Sequence, residues 1–198
     1  MTRIKEFSNL VLTEVASQIE KLDESRFEKA AELILRAEAQ GNRVHVTGIG
    51  KPGHVAGYVA SLLSSTGTPA YFLDGTEAIH GSAGQVLSGD VVIAISNSGE
   101  TEELKKTITT LKNNGSLIIA VSGNDNSWLA KSGEVALLAH VDQEGDAMNK
   151  PPRASILSEL VVLQGLSLLL QEHKGITPAE YVKWHPGGSL GKSIREEN

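Results

Sequence analysis

The sequence contains no cysteine, which excludes a disulfide framework and thiolate metal sites. It has no run of about 18 consecutive apolar residues, so no transmembrane helix is expected. The opening MTRIKEFSNLVL lacks the long apolar core of a signal peptide. Basic residues are the minority, 18 Lys and Arg against 24 Asp and Glu, and the net charge is −6. Such a balance lacks the basic patch that a nucleic-acid backbone requires, while a small phosphorylated ligand needs only a local site. The six histidines show no H-x-x-x-H or H-E-x-x-H spacing, so neither a metal nor another cofactor is expected. These absences make a cytoplasmic protein, without a membrane or nucleic-acid partner, the simplest expectation.

What is present is globular in composition. Hydrophobic residues make up 40% and charged residues 21% of 198 residues, a length that suits one domain of about 100–200 residues. The 20 glycines gather at turns and form no low-complexity tract. Phe7, Val11, Val15, Ile19 and Leu22 recur at helical spacing and predict a helix over 4–22. A second helix is predicted over 26–39, capped by Asp23 or Ser25 and stopped by Gly41-Asn42. This pair, 1–40, is expected either as the first layer of the domain or as an arm that packs on another subunit.

The texture then changes to short apolar runs separated by helical patterns. Strands are predicted at 43–47, 70–73, 91–95, 117–121 and 135–139, and helices at 53–65, 101–114, 155–172 and 177–184. Continuous Val/Ile/Leu strands between helices predict an α/β fold over 41–198, a three-layer αβα sandwich around a five-stranded parallel sheet.

In such sheets ligands bind beyond the C-terminal ends of the strands. The third strand runs into Ser96-Asn97-Ser98-Gly99-Glu100-Thr101 and then a helix. A helix N-terminus offers unpaired N–H groups and partial positive charge to a phosphate. Ser96, Ser98 and Thr101 add hydroxyls, and Gly99 allows close backbone approach. The first strand leads likewise into Gly48-Ile49-Gly50-Lys51-Pro52-Gly53-His54, which matches neither the dinucleotide fingerprint nor the P-loop spacing. Lys51 is suited to meet an anion as a point charge. Glu100, Glu144, His80 and His185 are the general acid–base candidates, because moving a proton beside a carbonyl calls for a carboxylate or an imidazole.

Taken together, Gly48-x-Gly50-Lys51-x-Gly53-His54, Ser64-Ser65-Thr66-Gly67-Thr68-Pro69-Ala70, Glu77-Ala78-x-His80-Gly81, Ile95-Ser96-Asn97-Ser98-Gly99-Glu100 and His185-Pro186-Gly187-Gly188-x-Leu190-Gly191 resemble the sugar isomerase (SIS) domain. The nearest subgroup is the arabinose 5-phosphate isomerases. The resemblance implies interconversion of an aldose phosphate and a ketose phosphate through an enediol. It also implies a homotetramer, or a dimer, with sites at subunit contacts, so that His80 or His185 serves a neighbouring chain. By position it implies Lys51, Glu100, Glu144 and His185 as catalytic groups. Ser65, Ser96, Ser98, Thr101, His80 and Gly50 are implied around the ligand and its phosphate.

Within this reading Glu144 or His185 moves the carbon-bound proton, and Lys51 stabilises enediolate charge. The subgroup carries a pair of CBS domains after the last motif; the sequence ends at Asn198 instead, so nucleotide sensing by such domains is not expected of it. The subgroup also has a Pro-Thr-Ser-Ser-Thr-type run where this chain has Lys150-Pro151-Pro152-Arg153-Ala154-Ser155. Lys150 or Arg153 is expected to offer an anionic contact there. A hexulose-phosphate isomerase and a non-catalytic sugar-phosphate sensor are the alternative readings.

Overall fold

The structure, a computed structural model, describes residues 2–185. Its sheet has five parallel strands, β1 (Val44–Gly48), β2 (Ala70–Asp74), β3 (Val91–Ile95), β4 (Leu117–Ser122) and β5 (Val135–Leu138). Their order is β2-β1-β3-β4-β5. Every residue of β1 and β3 is buried, as a parallel sheet covered on both faces requires.

The helices are α1 (Arg3–Glu20), α2 (Glu24–Ala39), α3 (Lys51–Ser65), α4 (Glu102–Asn113), α5 (Trp128–Ser132), α6 (Ala154–Lys174) and α7 (Pro178–Trp184). Alternation along the strands divides the core in two. Val46, Ile93 and Ile95 meet α2, α3 and α6, whereas Leu73, Val92 and Ala94 meet α4 and α5. Each fully buried Leu or Ile contributes about 1.5–3 kcal/mol to this packing.

The predicted elements occur with no end shifted by more than two residues. Asp23 is the N-cap of α2, accepting from the Ser25 N–H at 3.0 Å, and Gly41 follows its end at φ +80°. Thr177 and Glu180 form a capping box on α7, with Pro178 in its first turn. Two short 3-10 turns, Glu77–His80 and Ser82–Gln85, and α5 have no counterpart among the predicted elements. Each is one turn or so, too short to show a periodic pattern.

The N-terminal pair forms part of the layer. α2 packs on α6, β3 and β5, and α1 packs on α6. Gln18 of α1 is buried and binds the β5 edge, donating to the Leu138 carbonyl at 2.5 Å and accepting from the His140 N–H at 2.9 Å. Ile4, Leu12 and Ile19 of α1 nevertheless remain exposed. α6 is long and apolar enough to cross a bilayer by length and composition alone, yet half of it is buried inside the domain.

The strand order positions the site. The chain leaves β1 for β2 on one side and returns to β3 on the other, so β1 and β3 flank the point where the winding reverses. Gly48 and Ile95 are register partners at the ends of these strands. The loops that follow them therefore open side by side, where ligands of such folds bind.

Candidate active site

The loop after β3 is shaped to present backbone N–H groups. Thr101 is the N-cap of α4 but makes no side-chain bond to the helix, so the first-turn donors of α4 keep their capacity for an anion. The Thr101 hydroxyl lies 3.3 Å from the Ser96 hydroxyl, which accepts from the Gly99 N–H at 3.2 Å. Ser98 Oγ accepts from the Glu100 N–H at 3.2 Å. Gly99 sits at φ +66°, and a Cβ there would run into the Ser127 side chain. The turn is thus available to glycine alone. Ser96 is buried beneath the loop and Ser98 is exposed above it.

The loop after β1 is equally tight. A Cβ on Gly53 would lie 2.8 Å from the Gly48 carbonyl oxygen, so the chain doubles back closely before α3 begins. Gly50 is the N-cap of α3 at φ +66°, again without a side-chain cap, and Pro52 occupies the first turn. Lys51 is exposed at the start of α3. It lines a groove with His54, Tyr58, Pro152, Ile156 and Leu160 between α3 and α6.

Glu144 is seated at the same end of α6. Its carboxylate is buried, and Oε2 accepts from the Arg153 N–H at 2.6 Å and the Ser155 N–H at 3.1 Å. It supplies the cap that the helix otherwise lacks, a negative charge on the positive end of the dipole. The backbone of Glu144 is held too. Its N–H donates to Asn149 Oδ1 at 2.6 Å, and Asn149 Nδ2 donates to the Asp142 carbonyl at 3.2 Å. Asn149 is in the left-handed region, φ +48°, and Asp146 Oδ1 accepts from its N–H at 2.9 Å.

Arg153 completes this clasp. Its guanidinium lies 2.6 Å from Asp146 Oδ2, so the expected anionic contact is met inside the chain, and Lys150 is the exposed neighbour. The segment that departs from the subgroup's hydroxyl run therefore folds around Glu144.

Glu100, expected as a catalytic group, has both of its oxygens engaged. Oε1 accepts from the Trp128 N–H at 2.7 Å, and Oε2 pairs with Lys105 at 2.8 Å. The Lys105 hydrogen bond, followed by the Trp128 N–H, lowers its pKa. These contacts tie the 96–101 loop to α4 and the start of α5.

Three expected ligand neighbours divide by position. His80 is exposed at the end of the first 3-10 turn, beyond the C-terminal end of β2, on the same side of the sheet as Lys51. Ser65 is the last residue of α3, about 20 Å from Lys51 along a helix rising 1.5 Å per residue. Its hydroxyl donates to the Leu62 carbonyl at 2.8 Å. His185 follows α7, and Trp184 and Ile176 pack against Gly67 at the far end of α3. His185 stacks on Tyr181 with ring centroids 3.9 Å apart. Ser65 and His185 thus lie at the pole opposite Lys51, Glu144 and the 96–101 loop. Within one chain they do not join the site, contrary to a site built from a single copy. Pro186–Gly191 of the last motif lie outside the described residues.

Two groups went unnoticed in the sequence. Asn149 gives no periodic or motif signal. Glu159 does carry one, as the single charged residue between Ala154 and Gln171.

Comparison with known proteins gives the same picture. Residues 39–167 match the SIS domain family. The chain is 42% identical over 168 residues to arabinose 5-phosphate isomerase KdsD of Pseudomonas aeruginosa, covering 85% of this chain and 51% of the relative. It spans about half the length of the curated relatives it matches. Among solved structures, an Escherichia coli CFT073 protein in complex with arabinose 5-phosphate superposes with a TM-score of 0.86 at 36% identity, covering 92% of this chain and 95% of that one. A Bacteroides fragilis protein described as a putative phosphosugar isomerase involved in capsule formation gives 0.85 at 30% identity, covering 93% and 97%. The parallel sheet, the glycine-bounded loops at its switch point and these matches agree: the chain belongs to the SIS domain family.

Proposed function

We propose that the chain is a phosphosugar aldose–ketose isomerase of the arabinose 5-phosphate/ribulose 5-phosphate type. One observation carries this reading. An uncapped α4 N-terminus ringed by Ser96, Ser98 and Thr101 opens at the sheet edge from which Lys51 and the clasped Glu144 also project. Relatives named arabinose 5-phosphate isomerase, and a structural neighbour in complex with arabinose 5-phosphate, support the choice of sugar.

The phosphate rests on the α4 donors, where helix dipole and hydroxyls favour a dianion. Glu144 then takes the proton from C2 of the aldose while O1 is protonated, giving a 1,2-enediol; after exchange with solvent it delivers a proton to C1 as the O2 hydroxyl gives up its own, which completes the ketose. Its fixed seat limits the reorganisation that proton transfer needs. Lys51 offsets the charge that develops on the enediol oxygens.

His185 acts in the site of a second copy, since α7 holds it at the opposite pole of its own chain. Copies meeting along the α3–α6 groove would cover Tyr58 and Leu157, which are 44% and 42% exposed. The reading therefore includes a dimer or tetramer whose sites lie between subunits.

The test is steady-state conversion of arabinose 5-phosphate to ribulose 5-phosphate, run beside a hexulose 6-phosphate and unphosphorylated arabinose. Turnover of the pentose phosphate alone is the expected result. Turnover of only the hexulose phosphate overturns the pentose assignment. Tight binding of a sugar phosphate that remains unchanged establishes the sensor reading in its place.

A further inference from the structure

The inward face of α6 carries a polar stripe just beneath Glu144. Ser155, Ser158 and Glu159 stand at spacings of three and four, so they share one helix face. All three are 0% exposed. Among the described residues, neither hydroxyl and neither oxygen of the Glu159 carboxyl has a hydrogen-bond partner. Groups of this kind are costly to bury, and apolar residues at 155, 158 and 159 would continue the core formed by Val162, Leu163 and Leu166. Their location is not arbitrary, because the Ser155 N–H is one of the two donors that seat Glu144.

We propose that Glu159 is a positioning residue for Glu144: as a carboxylic acid it leaves Glu144 on the Arg153 and Ser155 N–H groups, and as a carboxylate it drives Glu144 off them. This rests on the reading of Glu144 as the proton-moving group. Two negative charges in one low-dielectric region repel strongly. Glu159 is 0% exposed and fixed on α6, whereas Glu144 is 7% exposed and sits on the loop that precedes α6. Relief therefore comes from movement of Glu144.

Among the described residues, the surroundings contain no other charge to compensate. α6 packs against α1, α2 and α3, whose buried faces carry Val, Ala, Ile, Leu and one Gln. Lys51 and His54, from α3, face the outer groove. Burial, and then the charge of Glu144, push Glu159 up to about 8. The proton on Glu159 thus leaves within a range where the enzyme can be assayed.

The experiment follows the Arg153 and Ser155 amide resonances of the 15N-labelled full chain, without ligand, from about pH 6 to 10. The pH dependence of kcat for arabinose 5-phosphate is measured alongside. In the wild type both amides are expected to shift with one midpoint near 8, with kcat falling about tenfold over the same interval. In Glu159→Gln, and in Glu159→Leu, the amides stay flat and kcat holds to higher pH. Amides that titrate alike in wild type and both variants overturn the proposal, as does an unchanged alkaline limb in kcat. If the amides titrate as expected but arabinose 5-phosphate is not converted, Glu159 keeps its role at the loop and the substrate reading fails. Conversion without amide titration overturns the role of Glu159 and leaves the substrate reading standing.

Discussion

Replacing Glu159 by glutamine should stabilise the protein, and by more as the pH rises. The carboxyl is raised from 4.5 to about 8 by burial and by the Glu144 charge. A group whose proton is held more tightly when folded contributes stability that is complete below the unfolded value and is lost as pH rises through the folded one. Each pH unit across that interval is worth about 1.4 kcal/mol. The wild type therefore loses about 3 kcal/mol by pH 7 and about 5 kcal/mol above pH 8 from this residue. These are large fractions of a typical stability of about 5–15 kcal/mol. Glutamine keeps the shape and cannot ionise, so Glu159→Gln escapes the loss. Urea denaturation of both proteins at pH 5, 7 and 8.5, at one protein concentration, reads the difference directly. The two midpoints should nearly coincide at pH 5 and separate progressively above it. Parallel pH dependences, or a variant that is less stable at every pH, would refute the reasoning.

Gly99→Ala forces a side chain into φ +66° and against Ser127; it should cost at least about 2 kcal/mol and weaken sugar-phosphate binding more than tenfold by calorimetry. Asn149→Ala removes the bonds to the Glu144 N–H and the Asp142 carbonyl. We expect a loss of about 1–2 kcal/mol and a ten- to hundredfold fall in kcat with little change in KM. At the opposite pole, buried Asp90 accepts from the Arg43 and Leu87 N–H groups and lies 3.1 Å from His45 Nε2. Asp90→Ala leaves these part-buried donors without an acceptor and should cost about 1–3 kcal/mol for each left unsatisfied, read by thermal or urea unfolding. Burial holds the His45 pKa below its ordinary 6.5, against the pull of Asp90, so its contribution is present above that value and lost as pH falls. His45→Gln should flatten the decline of the urea midpoint on the acid side.

The fold could be read from the sequence wherever burial leaves a pattern. β3 and β4 sit inside the sheet, and their unbroken apolar runs announced it. The helical spacing of apolar residues in α1 and α2 did the same for the N-terminal layer. The turn at 96–101 was legible because a serine- and glycine-rich segment between an apolar run and a helical pattern marks a strand-to-helix junction. α5 and the two 3-10 turns escaped because one turn is shorter than any period. The partners of Glu100, Lys105 and the Trp128 N–H, left no sequence signal because tertiary packing sets them. Distance was the remaining blind spot. Ser65 and Lys51 are the two ends of one helix, and only the direction of α3 through the fold places them at opposite poles. Glu159 stood out as a lone charge, but its closeness to Glu144 depends on how the 142–153 loop turns back onto α6.

Proton transfer at C2 is the central claim, and deuterium reports it most directly. Ribulose 5-phosphate is incubated with the protein in deuterated water, and the products are read by proton NMR for the wild type and for Glu144→Gln. The wild type should form arabinose 5-phosphate carrying deuterium at C2, and the variant should do so about 10²–10⁴-fold more slowly. Arabinose 5-phosphate without deuterium would show proton transfer shielded from solvent or another mechanism. No arabinose 5-phosphate at all, or undiminished exchange in Glu144→Gln, would contradict the account.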